Sequence, residues 1–141
     1  MAIDYDSRAA TYDATRSASP SIVRPLLRAL GPANGRALLD IGGGTGNYAV
    51  ALRDAGFRVW LSDVSTAMLR VAAAKLGTRA AVLGDALRLP FADGAFDCAS
   101  SVNVSHHVPD WRRHVIEACR AVRDCFVLQV NTRENLDAHW I

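Results

Sequence analysis

Charge of one sign is what this chain lacks most. Against 14 acidic residues stand 16 basic ones, a net charge of +2, and Lys75 is the only lysine. The positive residues are scattered along the chain, not blocked, which argues against a basic nucleic-acid-binding face. Cysteine is scarce too: Cys98, Cys119 and Cys125 are odd in number and lack the paired spacing of a metal site. Their apolar neighbours predict buried thiols in a reducing cytoplasm, without a catalytic or metal-binding role. No apolar run reaches the ~20 residues of a membrane-spanning helix. The start, Met1-Ala2-Ile3-Asp4-Tyr5-Asp6, is acidic where a secretory leader would be basic, so no signal peptide is expected.

Half of the 141 residues are hydrophobic, enough for one globular domain with its own core. Residues 1–18 are polar and weakly helical. Ser19-Pro20 then reads as an N-cap and a first helical residue. Ile22, Val23, Leu26, Leu27 and Leu30 follow at helical spacing until Gly31-Pro32 stops the helix. From residue 36 the pattern alternates. Strands are expected over 36–41, 57–62, 80–83, 96–104 and 125–130, and helices over 45–55, 65–76 and 110–122. In the second of these helices Met68, Leu69, Ala72 and Leu76 share one face; in the third, Trp111, Val115, Cys119 and Val122 form one stripe. Five short apolar strands between amphipathic helices predict an α/β, Rossmann-like doubly wound parallel sheet. Its ligands belong at the C-terminal ends of the strands.

The run Leu38-Leu39-Asp40-Ile41-Gly42-Gly43-Gly44-Thr45-Gly46 marks a strand, a tight turn and a helix start. Gly42, Gly44 and Gly46 let the turn take positive φ and leave no side chain between backbone and ligand. A tight turn of any α/β protein reads the same way. So does a dinucleotide fold, since Gly44-Thr45-Gly46-Asn47-Tyr48-Ala49 matches G-x-G-x-x-A. Asp40 weighs against a pyrophosphate, because an acid before the turn repels phosphate and suits a ligand carrying an ammonium group. Asp63 closes the second strand, where a carboxylate serves either the two hydroxyls of a ribose or the N-cap of the following helix. A third acid, Asp85, follows Gly84 at the end of the third strand.

With the segments Asp40-Ile41-Gly42-Gly43-Gly44-Thr45-Gly46, Asp63-Val64-Ser65-Thr66-Ala67-Met68-Leu69 and Gly84-Asp85 through Phe96-Asp97, the chain resembles the class I S-adenosylmethionine (SAM)-dependent methyltransferases. It is most similar to the small-molecule type grouped with ubiquinone and menaquinone biosynthesis enzymes. Residues 5–13, Tyr5-Asp6-Ser7-Arg8-Ala9-Ala10-Thr11-Tyr12-Asp13, resemble that family's lid. The resemblance implies a helical lid segment over 1–34, a SAM-binding domain over 35–141, and strand order 3-2-1-4-5. It implies that the glycine turn packs on the methionine part of SAM and that Asp63 holds the ribose. Asp85 and the Ala86 N–H would take the adenine, with Val64 and Met68 beside it. Asn103 would contact the cofactor after the fourth strand, and Tyr12 and Arg16 would close over the carboxylate end. His106 and His107, at the rim of the site, are the candidates for a general base, needed only if the nucleophile arrives protonated, or for lining the pocket.

Two departures stand out. The family's Pro-Gly-Gly turn before the fifth strand is replaced by Ala121-Val122-Arg123-Asp124-Cys125, and the chain ends at Ile141 without the two further strands that the resemblance implies. The expectation is therefore the N-terminal part of a longer methyltransferase acting on a small-molecule acceptor, with no membrane partner. A homodimer through strand 5 or the 131–141 tail would cover the open sheet edge. The alternatives are a non-catalytic fragment that binds SAM or self-associates, and a nucleic-acid methyltransferase. The latter lacks a basic face, and Asn103-Val104-Ser105-His106 is not the Asn-Pro-Pro-aromatic motif.

Overall fold

The computed structural model describes residues 17–104 and 108–130. In chain order these form α1 (Pro20–Leu30), β1 (Ala37–Ile41), α2 (Asn47–Asp54), β2 (Arg58–Asp63), α3 (Thr66–Leu76), β3 (Ala81–Leu83), β4 (Phe96–Val102), α4 (Trp111–Ala121) and β5 (Val122–Gln129). The strands make one sheet in the order β3-β2-β1-β4-β5, every pair parallel, as the sequence predicts. All five residues of β1 are buried, which fits a central strand with both faces covered.

The two faces are covered differently. Leu38 and Cys98 lie side by side on one of them, packed with Leu26 and Leu30 of α1 and Leu52 of α2. Leu61 joins Ala49, Leu69 and Ala72 under α2 and α3 on the same side. On the opposite face Leu39, Ile41 and Ala99 meet Ala118 and Ala121 of α4, together with Ala86 and Leu89 from the β3–β4 connection. That connection contains no helix, so among the described residues one helix and a loop do the work of two helices there.

Three expectations need correction. The apolar stripe of α4 is not its core face: Trp111 and Cys119 are exposed and Val115 and Val122 only half-buried, whereas His114, Glu117, Ala118 and Ala121 are buried. Two alanines let the helix approach the sheet closely, and the polar pair before them meets loop backbone. Nor are the three cysteines alike. Cys98 is buried and its thiol is pushed up to about 11 by burial; Cys125 is half-buried, and Cys119 is exposed. The strand bounds shift as well. β4 ends at Val102, because Asn103 takes a left-handed φ of 58°. β5 starts directly after α4, whose C-cap Val122 is already extended at φ −112°, ψ 154°, so no turn separates them.

The inverted face of α4 is open to test. Cys119→Ser, on the exposed stripe, should change unfolding free energy by about 0.5 kcal/mol or less. Ala118→Leu should overpack the interface and cost about 1–3 kcal/mol in urea denaturation. The reverse ranking would restore the apolar stripe as the core face.

Candidate functional site

Parallel strands bring their C-terminal ends to one edge, and β1 sits where the order of connections reverses, between β2 and β4. The turn that leaves β1 is tied to β2: the N–H groups of Gly42 and Gly43 both donate to the Ser62 carbonyl, at 2.8 and 3.2 Å. There is no room for a side chain here. A Cβ on Gly43 would lie 2.4 Å from Leu61 Cδ1 and 2.8 Å from Asp40 Oδ2. Gly42 has φ +67°, and a Cβ on it would meet Val104 at 2.6 Å. Gly44 and Gly46 are also left-handed, and Gly46 is the N-cap of α2, which therefore starts at Asn47.

The three acids end three neighbouring strands in three different environments. Asp63 is held from two sides: Oδ2 accepts the Gly44 N–H at 2.9 Å and Oδ1 the Ser65 N–H at 3.0 Å. Capping of α3 falls to Ser65, whose Oγ accepts the Met68 N–H at 3.2 Å, so the capping alternative for Asp63 is set aside. Asp85 opens a turn in which its Oδ1 accepts the Leu87 N–H at 2.9 Å. Asp40 is only 1 % exposed and lies beneath the turn, not out towards solvent. Its Oδ1 accepts from Ser100 Oγ at 3.4 Å, while Oδ2 is buried without a hydrogen-bond partner among the described residues. Desolvation, reinforced by the nearby Asp63, pushes the Asp40 carboxyl up to about 7.

Apolar surface separates the acids. Val64 is 66 % exposed and Leu83, paired in register with Asp63, is 57 % exposed. Met68, expected beside Val64, is instead 1 % exposed inside the α3 packing, so it offers no surface at this edge. Ala86 is buried, and its carbonyl faces His114 Nδ1 at 3.3 Å. Across β1, Asn103 is held in its left-handed conformation with its N–H donating to Gln129 Oε1 at 3.1 Å. Tyr12, Arg16, His106 and His107 lie outside the described residues. Sequence reasoning missed Leu83, Val104 and Gln129. Leu83 carried a signal, as the apolar residue just before Gly84-Asp85, while nothing in the sequence pairs Gln129 with Asn103. Among the described residues no group of three acid, His or Cys side chains is arranged to hold a metal, and no helix is long and apolar enough to cross a membrane.

Comparison with known proteins follows the same edge. Residues 39–125 match the model of a family described as a methyltransferase domain. A demethylmenaquinone methyltransferase of Beutenbergia cavernae is 43% identical over 77 residues, which cover 55% of this chain and 32% of that protein. The ubiquinone/menaquinone biosynthesis C-methyltransferase of Paracoccus denitrificans is 45% identical over 76 residues, covering 48% of this chain and 30% of that one. The chain thus spans less than a third of the length of these curated relatives. The crystal structure of a SAM-dependent methyltransferase from Thermotoga maritima superposes with a TM-score of 0.75 at 28% identity, over 92% of this chain and 61% of that one.

A buried carboxyl whose pKa is raised by folding favours the native state only while it is protonated. Its stabilising effect is complete below the unfolded value of 3.8 and is lost as pH rises to about 7. Asp40→Asn removes that dependence. The variant should be more stable than the parent above pH 7, by on the order of 4 kcal/mol, with the difference closing towards pH 4. Equal stability of the two chains at every pH, measured by denaturant titration, would contradict a buried and strained Asp40.

Proposed function

Because this chain belongs to the methyltransferase domain family and shares the fold of SAM-dependent methyltransferases, we propose that its strand-end edge binds SAM. We further propose that the methyl group passes to a small-molecule acceptor. The observation that carries this reading is the glycine turn set among Asp40, Asp63 and Asp85 at the ends of three adjacent strands. Two carboxylates beside the turn disfavour a pyrophosphate and suit a ligand with a net positive charge, as SAM has through its sulfonium and ammonium groups.

Each residue has a definite part in this account. The turn brings bare backbone to the methionine portion. Asp63, already fixed by Gly44 and Ser65, turns its remaining acceptor capacity to the ribose hydroxyls. Val64 and Leu83 give the adenine an apolar wall, and Asp85 with the Ala86 N–H reads its polar edge. Asp40 acts through its field from below the turn and not by direct contact, since it is buried. When bound, SAM supplies an activated methyl group on a sulfonium centre. The protein's contribution is then chiefly to place the acceptor in line with it, an effect worth roughly 7–11 kcal/mol in well-oriented systems. His106 and His107 are proposed for the acceptor side, as a base where the acceptor arrives protonated. The small-molecule acceptor is supported by the quinone-pathway names of the two curated relatives.

β5 lies at an edge of the sheet among the described residues. That position supports self-association along its outer side, and a monomeric mass by light scattering at high concentration would count against it.

A bound cation lowers the pKa of a carboxyl near 7. SAM binding should therefore release a fraction of a proton at pH 7, seen by calorimetry as a dependence of the binding heat on the buffer's ionisation heat. Asp40→Asn should abolish the proton release, and Asp63→Ala should weaken binding by at least about tenfold. Absence of SAM binding to the parent chain, or binding indifferent to Asp63, would overturn the reading.

A further inference from the structure

The connection from β3 to β4, residues 84–95, crosses one face of the sheet without a helix of its own. Backbone groups in such a segment need partners from elsewhere. One side of α4 supplies them in succession. Ala86 O lies 3.3 Å from His114 Nδ1, and Leu87 O accepts from Arg113 Nε at 3.2 Å. The Leu89 N–H donates to Glu117 Oε1 at 2.9 Å, while Leu89 O and Phe91 O accept from Arg120 Nη2 and Nη1 at 3.2 and 2.8 Å. Glu117 and Arg120 also pair with each other at 2.8 Å, and Arg120 reaches Asp93 at 2.7 Å.

These groups are costly to hold there. His114 is fully buried and Glu117 nearly so, and burying polar or charged side chains is unfavourable unless each is hydrogen-bonded. Here the bonds run to a loop that packs Ala86 and Leu89 into the core but has no helix of its own. His114 extends the tie to the sheet, its Nε2 lying 3.0 Å from Ser101 Oγ on β4. The Arg120 guanidinium grips two loop carbonyls at once, which fixes the direction of the backbone between them.

We infer that the Glu117–Arg120 pair, with His114, is the positioning device that sets Asp85 and the Ala86 N–H for adenine recognition. This rests on the SAM reading above. None of the three residues is placed in contact with the ligand. They act by fixing residues 86–91, so that the two recognition groups at the start of that run are held before the ligand arrives.

The test is a double-mutant cycle on the 141-residue chain, with SAM and its inosine counterpart, which carries an oxo group in place of the adenine amino group, as probes. The parent should bind SAM in preference to the inosine form. Glu117→Gln should weaken SAM binding roughly tenfold, leave the inosine form nearly unchanged, and add little when combined with Asp85→Ala. Arg120→Lys, which retains the charge on both partners but not the forked grip, should erode the same preference if Glu117→Gln fails to fold. Equal losses for both ligands, or losses additive with Asp85→Ala, would overturn the inference while leaving SAM binding itself intact. A parent chain that binds neither ligand would overturn the SAM reading, and the inference with it.

Discussion

The contact between Gly43 and Leu61 sets the terms for the rest of this edge. With no side chain at Gly43, the turn after β1 settles onto β2, and the amides of Gly42 and Gly43 reach the Ser62 carbonyl. The same approach brings the Gly44 N–H to Asp63, whose other oxygen steadies the entry to α3 through Ser65. One close approach thereby orients a turn, a carboxylate and a helix start. A methyl group at Gly43 would push them apart together.

The site's electrostatics work against the stability of the fold. Asp40 lies under the turn with one oxygen unpartnered among the described residues and its pKa pushed up to about 7, a cost set mainly by burial and increased by Asp63. A core built for stability alone would place an apolar side chain there. On the proposed SAM reading, a cationic ligand above the turn would offset the cost, so the strain of the free chain and the affinity for such a ligand would have one origin. The loop strapped to α4 follows the same logic, with a buried charge at Glu117, paired to the half-buried Arg120, fixing a backbone path.

Much of this was legible in the sequence because it rests on local chemistry. Glycines after an acid-terminated apolar run mark a turn wherever they occur, and Asp63 and Asp85 mark strand ends by their position after apolar residues. Apolar strands alternating with helices pointed to a parallel doubly wound sheet, and the order β3-β2-β1-β4-β5 is the one the family resemblance implies. Long-range partners were not legible. The apolar stripe of α4 misled because the helix meets a loop backbone as well as a sheet, so its buried face carries His114 and Glu117 ahead of two small alanines. Met68 is buried, as its place on the apolar face of α3 predicts, and not open beside the adenine as the resemblance implies. The Gln129–Asn103 bond joins residues on adjacent strands whose pairing only the fold decides.

Amide chemical-shift mapping of the labelled chain during SAM titration tests the central claim most directly. The account predicts saturable shifts at residues 42–46, 63–65 and 85–87, on the C-terminal edge of the sheet. At the opposite edge, the groove lined by Arg58, Trp60, Gly77 and Arg79 should stay unchanged. Shifts confined to that groove, or none at saturating SAM, would contradict it.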